Sequence, residues 1–157
     1  MNLAYSTYDV FTDTRFAGNP LAVVYDADAL SDAQMQTIAR EFNLSETIFV
    51  RTPENAQHEA SVRIFTPTKE LPFAGHPTIG CAIALAERRH AQGGTDDILL
   101  VLEERVGLVR CGIKIGANGE ASFAEFTAPK LSAPAGPDPN VDAAAHSPHM
   151  EPLKGEL

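Results

Sequence analysis

Two short stretches carry the residue types that could move a proton. In Asn43-Leu44-Ser45-Glu46-Thr47, the carboxylate of Glu46 stands where a polar turn enters the apolar run Ile48-Phe49-Val50. Part of its hydration would be stripped there, and burial raises a Glu pKa from its ordinary value of about 4.3. A value lifted toward roughly 6–7 suits a group that both takes and returns a proton near neutral pH. The bland alternative is that Glu46 only accepts hydrogen bonds from backbone amides as a strand begins. The second stretch is Glu70–Thr78, ELPFAGHPT, at the head of a long apolar segment. Pro77 fits a first helical position, His76 would then cap the helix, and Gly75 lets the backbone turn in. The first N–H groups of a helix lack internal partners and carry the positive end of its dipole, so this start could receive a carboxylate. His76 would add a proton donor or acceptor beside it. The alternative is an ordinary capped core helix.

Asn19 in Gly18-Asn19-Pro20 invites the same pair of readings, a turn residue or a polar contact for a ligand. The tripeptide lacks the Gly-rich run and the Lys of a phosphate loop. Glu70 is assigned a structural pairing with Arg63 or Lys69. Cys81 and Cys111 are isolated and show no metal-ligand spacing, so buried thiols in a reducing cytoplasm are expected.

The elements that must position these residues follow from periodicity. Residues 3–12 and Leu21–Tyr25 read as strands, with Ala17–Pro20 as a loop between them. Ser31 with Gln34 three residues on forms a capping box, and Met35, Ile38, Ala39 and Phe42 recur on one helical face. Asn43 ends that helix, and strands are expected over residues 44–50 and 60–66. The segment Pro77–Arg89 has no polar face for almost three turns, as in a helix enclosed by other structure. Residues 97–102 and 106–115 read as a hairpin turning at Glu103-Glu104-Arg105. Ala117-Asn118-Gly119 is a further turn before a last strand, Glu120–Thr127. The expected fold is α+β, with a mixed, mostly antiparallel sheet curled around the central apolar helix.

At 157 residues the chain fits one domain and a tail. The proposed division is a lobe over residues 1–127 and a proline-rich tail over 128–157. In that tail no apolar periodicity survives, and His146 and His149 are expected to be solvated rather than metal-bound. A net charge of −9 opposes nucleic acid or an anionic membrane as partner. No apolar run reaches the roughly 20 residues of a membrane span. MNLAYSTYDVF has no basic n-region and no apolar h-region, so a cytoplasmic location is expected.

Four motifs in succession carry a resemblance. Asp9-Val10-Phe11-Thr12-Asp13, Gly18-Asn19-Pro20-Leu21-Ala22-Val23-Val24, Ala39-Arg40-Glu41-Phe42-Asn43-Leu44-Ser45-Glu46-Thr47 and Arg63-Ile64-Phe65-Thr66-Pro67 followed by Glu70–Thr78 resemble the PhzF-like phenazine-biosynthesis family, over about residues 3 to 127. The resemblance implies a diaminopimelate-epimerase-like fold of two similar lobes with the active site between them, of which this chain would be the N-terminal one. It implies an isomerase that transfers a proton on a small carboxylic acid without cofactor or metal, the type substrate being trans-2,3-dihydro-3-hydroxyanthranilate. Glu46 would be the catalytic acid/base, and Gly75, His76, Asn19 and Ser45 the substrate-binding residues. The two-thiol racemases of this superfamily carry Cys where this chain has His76. The family also runs to nearly twice this length, and the second-lobe motif is absent here. A homodimer, or pairing with a missing second lobe, is therefore expected. The alternative is a truncated, non-catalytic lobe that serves as an oligomerising or remnant domain.

Overall fold

The computed structural model describes residues 2–91 and 96–128. Of the expected tail only Ala128 falls among them, so the tail and its two histidines lie outside the described residues. The elements run β1 (Tyr5–Val10), β2 (Asn19–Val24), a 3-10 turn (Ala27–Ala29), α1 (Asp32–Phe42), β3 (Glu46–Arg51), β4 (Ala60–Phe65), β5 (Glu70–Leu71), α2 (Gly75–Ala91), β6 (Asp97–Glu104), β7 (Gly107–Ile115) and β8 (Ala121–Phe126).

One sheet takes the order β1-β2-β3-β4-β6-β7-β8, with the short β5 paired to β4. Among the described residues only β2/β3 and β4/β6 are parallel, and in each case a helix makes the crossover between them. The sheet bends far enough for α2 to touch both ends of it, β1 and β8 as well as β2, β3, β6 and β7. The result is a half-barrel, in which the sheet curls around the apolar helix as expected. Alternation along the strands sends residues to two different layers. Leu21, Val23, Ile48, Val50, Val62 and Ile64 face α2 in the larger core. Val24, Phe49 and Phe65 face the other way and meet Met35 and Ala39 of α1.

Local signals in the first half act as the sequence proposes. The Ser31 hydroxyl accepts from the Gln34 N–H, and the Gln34 side chain accepts from the Ser31 N–H, which closes the capping box. Asn43 ends α1 in the left-handed region, at φ 52°. Several boundaries differ by one or two residues, and three of them change a residue's role. Asn19 and Pro20 are not loop but the start of β2, where Pro20 lies opposite Asp9 of β1. Glu103 and Glu104 are not turn but strand: β6 runs through Glu104, which pairs with Gly107, leaving Arg105-Val106 as the two-residue turn. Gly107, at φ 120°, meets the backbone demand of that tight hairpin. The third difference is the start of α2, which bears on the site.

Candidate active site

Register brings the site residues to one end of the half-barrel. Val10, at the end of β1, pairs with Asn19 at the start of β2. Two residues on, Leu21 pairs in parallel with Glu46 at the start of β3. The first turn of α2 lies over this corner. The helix begins at Gly75, with the Thr78 N–H donating to the Ala74 carbonyl at 3.2 Å. His76 is therefore inside the first turn and not its cap, and Pro77 is the third helical residue. Its missing N–H costs nothing there, because no amide of the first turn has an intrahelical acceptor.

Gly80 sets how closely α2 lies on the sheet. A Cβ at that position would run into Leu21 Cδ2 and stand 2.9 Å from Val10 Cγ2. His76 is one turn earlier on the same helical face, and the close approach carries its ring down to β2 and β3. Its Nδ1 lies 2.8 Å from Glu46 Oε2 and its Nε2 lies 2.9 Å from the Asn19 carbonyl oxygen. A carbonyl can only accept, so Nε2 must carry a proton. One further proton is then held between Nδ1 and Glu46, as imidazolium with carboxylate or as imidazole with carboxylic acid. Both side chains are largely enclosed, at 9% exposure for His76 and 19% for Glu46. Glu46 Oε1 has no hydrogen-bond partner among the described residues and remains open to a substrate.

Asn19 thus enters through its backbone carbonyl. Gly75 lies at the helix start as expected; a Cβ on it would meet only the Phe126 ring, at 3.3 Å. Ser45 is exposed just ahead of β3. Sequence reasoning missed Phe11, whose ring lies 5.9 Å from that of His76 and which sits at φ 65°. A positive φ is uncommon for a bulky residue and marks a local constraint. Both ring nitrogens of His76 are engaged by the protein, so in this arrangement the ring holds Glu46 and offers no free nitrogen to a ligand.

A second carboxyl lies just beneath the same turn. Glu104 is 8% exposed, and its Oε1 stands 2.8 Å from the Thr78 hydroxyl. Its Oε2 is buried with no hydrogen-bond partner. Burial pushes this carboxyl up to about 7, with the Thr78 bond working in the opposite direction. The sequence did hold a signal for it. Ile98, Leu100, Leu102 and Glu104 alternate, so a residue two past Leu102 must face the same core. Elsewhere Glu70 takes Arg63, at 2.6 and 2.8 Å, one of the two partners expected of it, and also Arg105, at 2.6 Å, which was not expected. Among the described residues no group of three His, Cys, Asp or Glu is placed to hold a metal ion, and no helix is long and apolar enough to cross a membrane.

The family model described as phenazine biosynthesis-like protein matches residues 8–153. An uncharacterised isomerase of Mesorhizobium japonicum is 55% identical over 130 residues, covering 83% of this chain and 41% of that protein. The trans-2,3-dihydro-3-hydroxyanthranilate isomerase of Pseudomonas chlororaphis is 50% identical over 105 residues, covering 67% of this chain and 35% of that one. A crystal structure of a PhzF-family protein from Bacillus anthracis aligns with a TM-score of 0.63 at 34% identity, covering 77% of this chain and 39% of that one. A hydroxyproline epimerase from Agrobacterium vitis aligns with a TM-score of 0.58 at 16% identity, over 78% of this chain and 41% of that one, a likeness of fold alone. The chain spans about two fifths of the length of the curated relatives it matches.

Proposed function

This chain belongs to the phenazine biosynthesis-like family, and we propose that it supplies the proton-transferring part of an isomerase for a small cyclic carboxylic acid. One observation carries the reading: the Glu46–His76–Asn19 chain, with a proton obligatory on Nε2 and a second held between His76 and Glu46. In the isomerisation, Glu46 in its carboxylate form takes a proton from one substrate carbon through Oε1. The electron pair of the broken C–H bond moves into the conjugated system, and Glu46 returns the proton at another carbon. No atom is gained or lost. His76 holds Glu46 in place and stabilises its carboxylate before the first transfer and after the second, while the Asn19 carbonyl fixes the ring. The N–H groups at the start of α2, led by Gly75, take the substrate carboxylate. Trans-2,3-dihydro-3-hydroxyanthranilate, the substrate in the name of the Pseudomonas relative, is the proposed substrate. A cytoplasmic setting fits two buried, free thiols.

The test uses this chain together with the part of the Mesorhizobium isomerase that it does not match, supplied as a separate polypeptide. The substrate is followed in heavy water for isomerisation and deuterium uptake at carbon. Turnover is expected from the pair, with Glu46→Gln lowering it by roughly 10²–10⁴-fold. Full activity in Glu46→Gln would remove the assigned role. A second reading, a non-catalytic lobe that associates through its apolar surface, is favoured by the exposed rings of Phe16 and Tyr5. Absence of deuterium uptake in every pairing tried would select it.

A further inference from the structure

The Thr78 hydroxyl has one proton and two neighbours able to accept it: the Ala74 carbonyl at 2.7 Å and Glu104 Oε1 at 2.8 Å. The Ala74 carbonyl cannot donate, so the only way both contacts are hydrogen bonds at once is for Glu104 to donate to Thr78 while Thr78 donates to Ala74. With Glu104 ionised, the hydroxyl proton turns to the carboxylate and the Ala74 oxygen keeps only the Thr78 N–H, at 3.2 Å. The Ala74 carbonyl belongs to the same peptide unit as the Gly75 N–H. Hydrogen bonds along such a chain polarise one another, so a donor on that oxygen makes Gly75 a stronger donor in turn.

We propose that Glu104 is a positioning residue for this site, acting through the Thr78 hydroxyl on the Ala74–Gly75 peptide and so setting how strongly the start of α2 holds a substrate carboxylate. The inference rests on the reading of the Gly75 amide as the carboxylate contact. Three further features support it. Glu104 is enclosed, with Oε2 unpartnered among the described residues, so ionisation finds no compensating bond beyond the Thr78 hydroxyl. Its carboxyl lies near 7, where both protonation states are populated under ordinary conditions. The adjoining hairpin turn is also tied to the entry of the helix, since the Val106 N–H donates to the Pro72 carbonyl at 3.2 Å.

Among the described residues no ionisable side chain hydrogen-bonds to Glu104. Cys81 on α2 and Cys111 on β7 are raised by burial first, with Glu104's own charge a further cause, Cys111 to about 12, and so stay thiols near neutrality. Arg51, Arg63 and Arg105, with His58 and the carboxylates Glu54 and Glu103, line a cavity of about 560 Å³ that also reaches Glu104. Arg63 and Arg105 are committed to Glu70, and His58 to Glu103 at 2.7 Å.

The test is a pH titration of the Gly75 amide by NMR on the ligand-free chain, which needs neither substrate nor turnover. In the unaltered chain the Gly75 amide is expected to titrate with a midpoint near 7. Glu104→Gln, whose amide can donate to Thr78 as the protonated acid does, should hold Gly75 at its acidic-side position at every pH. Thr78→Val should abolish the same titration while leaving Glu104 in place, and Glu46→Gln should leave it intact. A Gly75 amide that does not move between pH 5 and about 8.5, or one whose titration persists in Glu104→Gln or Thr78→Val, would overturn the proposal. So would its disappearance in Glu46→Gln, which would trace it to the His76 pair instead. Failure of the proton-transfer reading shows only in the deuterium assay, so the two failures are separable.

Discussion

Glu46 and Glu104 are both carboxylates against the first turn of α2, and their partners set them apart. Glu46 has an imidazole that can share its proton and an oxygen left open, whereas Glu104 has a hydroxyl and a buried orphan oxygen. The consequence for Glu104 is thermodynamic. Its folded-state pKa, about 7, lies above the ordinary 4.5, because burial disfavours the charged form. Below about pH 4.5 both folded and unfolded chains hold this proton and folding is not penalised. Between there and pH 7 the unfolded chain releases it first, so stability falls as pH rises, and above pH 7 the loss is complete. A rise from 4.5 to about 7 corresponds to on the order of 3 kcal/mol. Asp32, Glu70 and Glu103 are lowered, so their contributions are lost only as pH falls into the acid range. Urea unfolding at pH 5 and pH 8 should therefore show the unaltered chain weaker at pH 8, and Glu104→Gln should remove most of that difference. Equal pH dependence in the two proteins would mean that Glu104 is solvated when ionised.

At the scale of elements, the packing of α2 on β1 and β2 decides whether the site exists. Gly80→Ala isolates that step. In an exposed helix the change would stabilise by about 1 kcal/mol. Here the new methyl runs into Leu21, which is fully buried, and crowds Val10, and overpacking of this kind costs typically 1–3 kcal/mol. The variant is expected to be less stable despite the better helix former. His76, one turn back, should lift from Asn19 and Glu46, and turnover in the paired assay should fall by on the order of 10²-fold. Leu21→Ala in the same chain should restore part of both; a Gly80→Ala protein of full stability and activity would show that the helix does not need this approach. Such close packing is also where sequence reading reaches its limit. The capping box at Ser31, the αL end at Asn43 and the all-apolar face of α2 are local patterns, and each stands in the structure. Proline's preference for the first helical position misplaced the start of α2 by two residues, because the turn is closed instead by Thr78 on Ala74. Glu103-Glu104-Arg105 reads as a turn by charge, although the alternation of Ile98, Leu100 and Leu102 runs on to Glu104 and places it in the core. The Asn19 carbonyl, 57 residues from His76, has no side-chain signature at all.

Among the described residues two aromatic side chains stand well clear of the core. Phe16 is 81% exposed and Tyr5 59%, and both line a cavity of about 620 Å³ beside Phe42 and Leu44. The cavity lies along β1, which among the described residues pairs only with β2 and so presents an open sheet edge there. Apolar rings beside an open edge favour association with a second copy of the chain. The net charge of −9 opposes it, since two such chains repel. Salt decides between these forces. Raising ionic strength from about 0.01 to 0.15 M shortens the screening length from roughly 30 to roughly 8 Å, which removes most of the repulsion and leaves the apolar contact. Sedimentation at tens of micromolar, on the order of a weak-interface concentration, should therefore show a dimer whose population rises with salt. Phe16→Ser should weaken that dimer by about 10-fold or more, the loss of one buried aromatic side chain at roughly 1.5–3 kcal/mol. Because Phe16 is exposed in the single chain, its folding stability should stay within about 0.5 kcal/mol. A monomer at every salt concentration, or a dimer that dissolves as salt is added, would show that these aromatics do not mediate self-association.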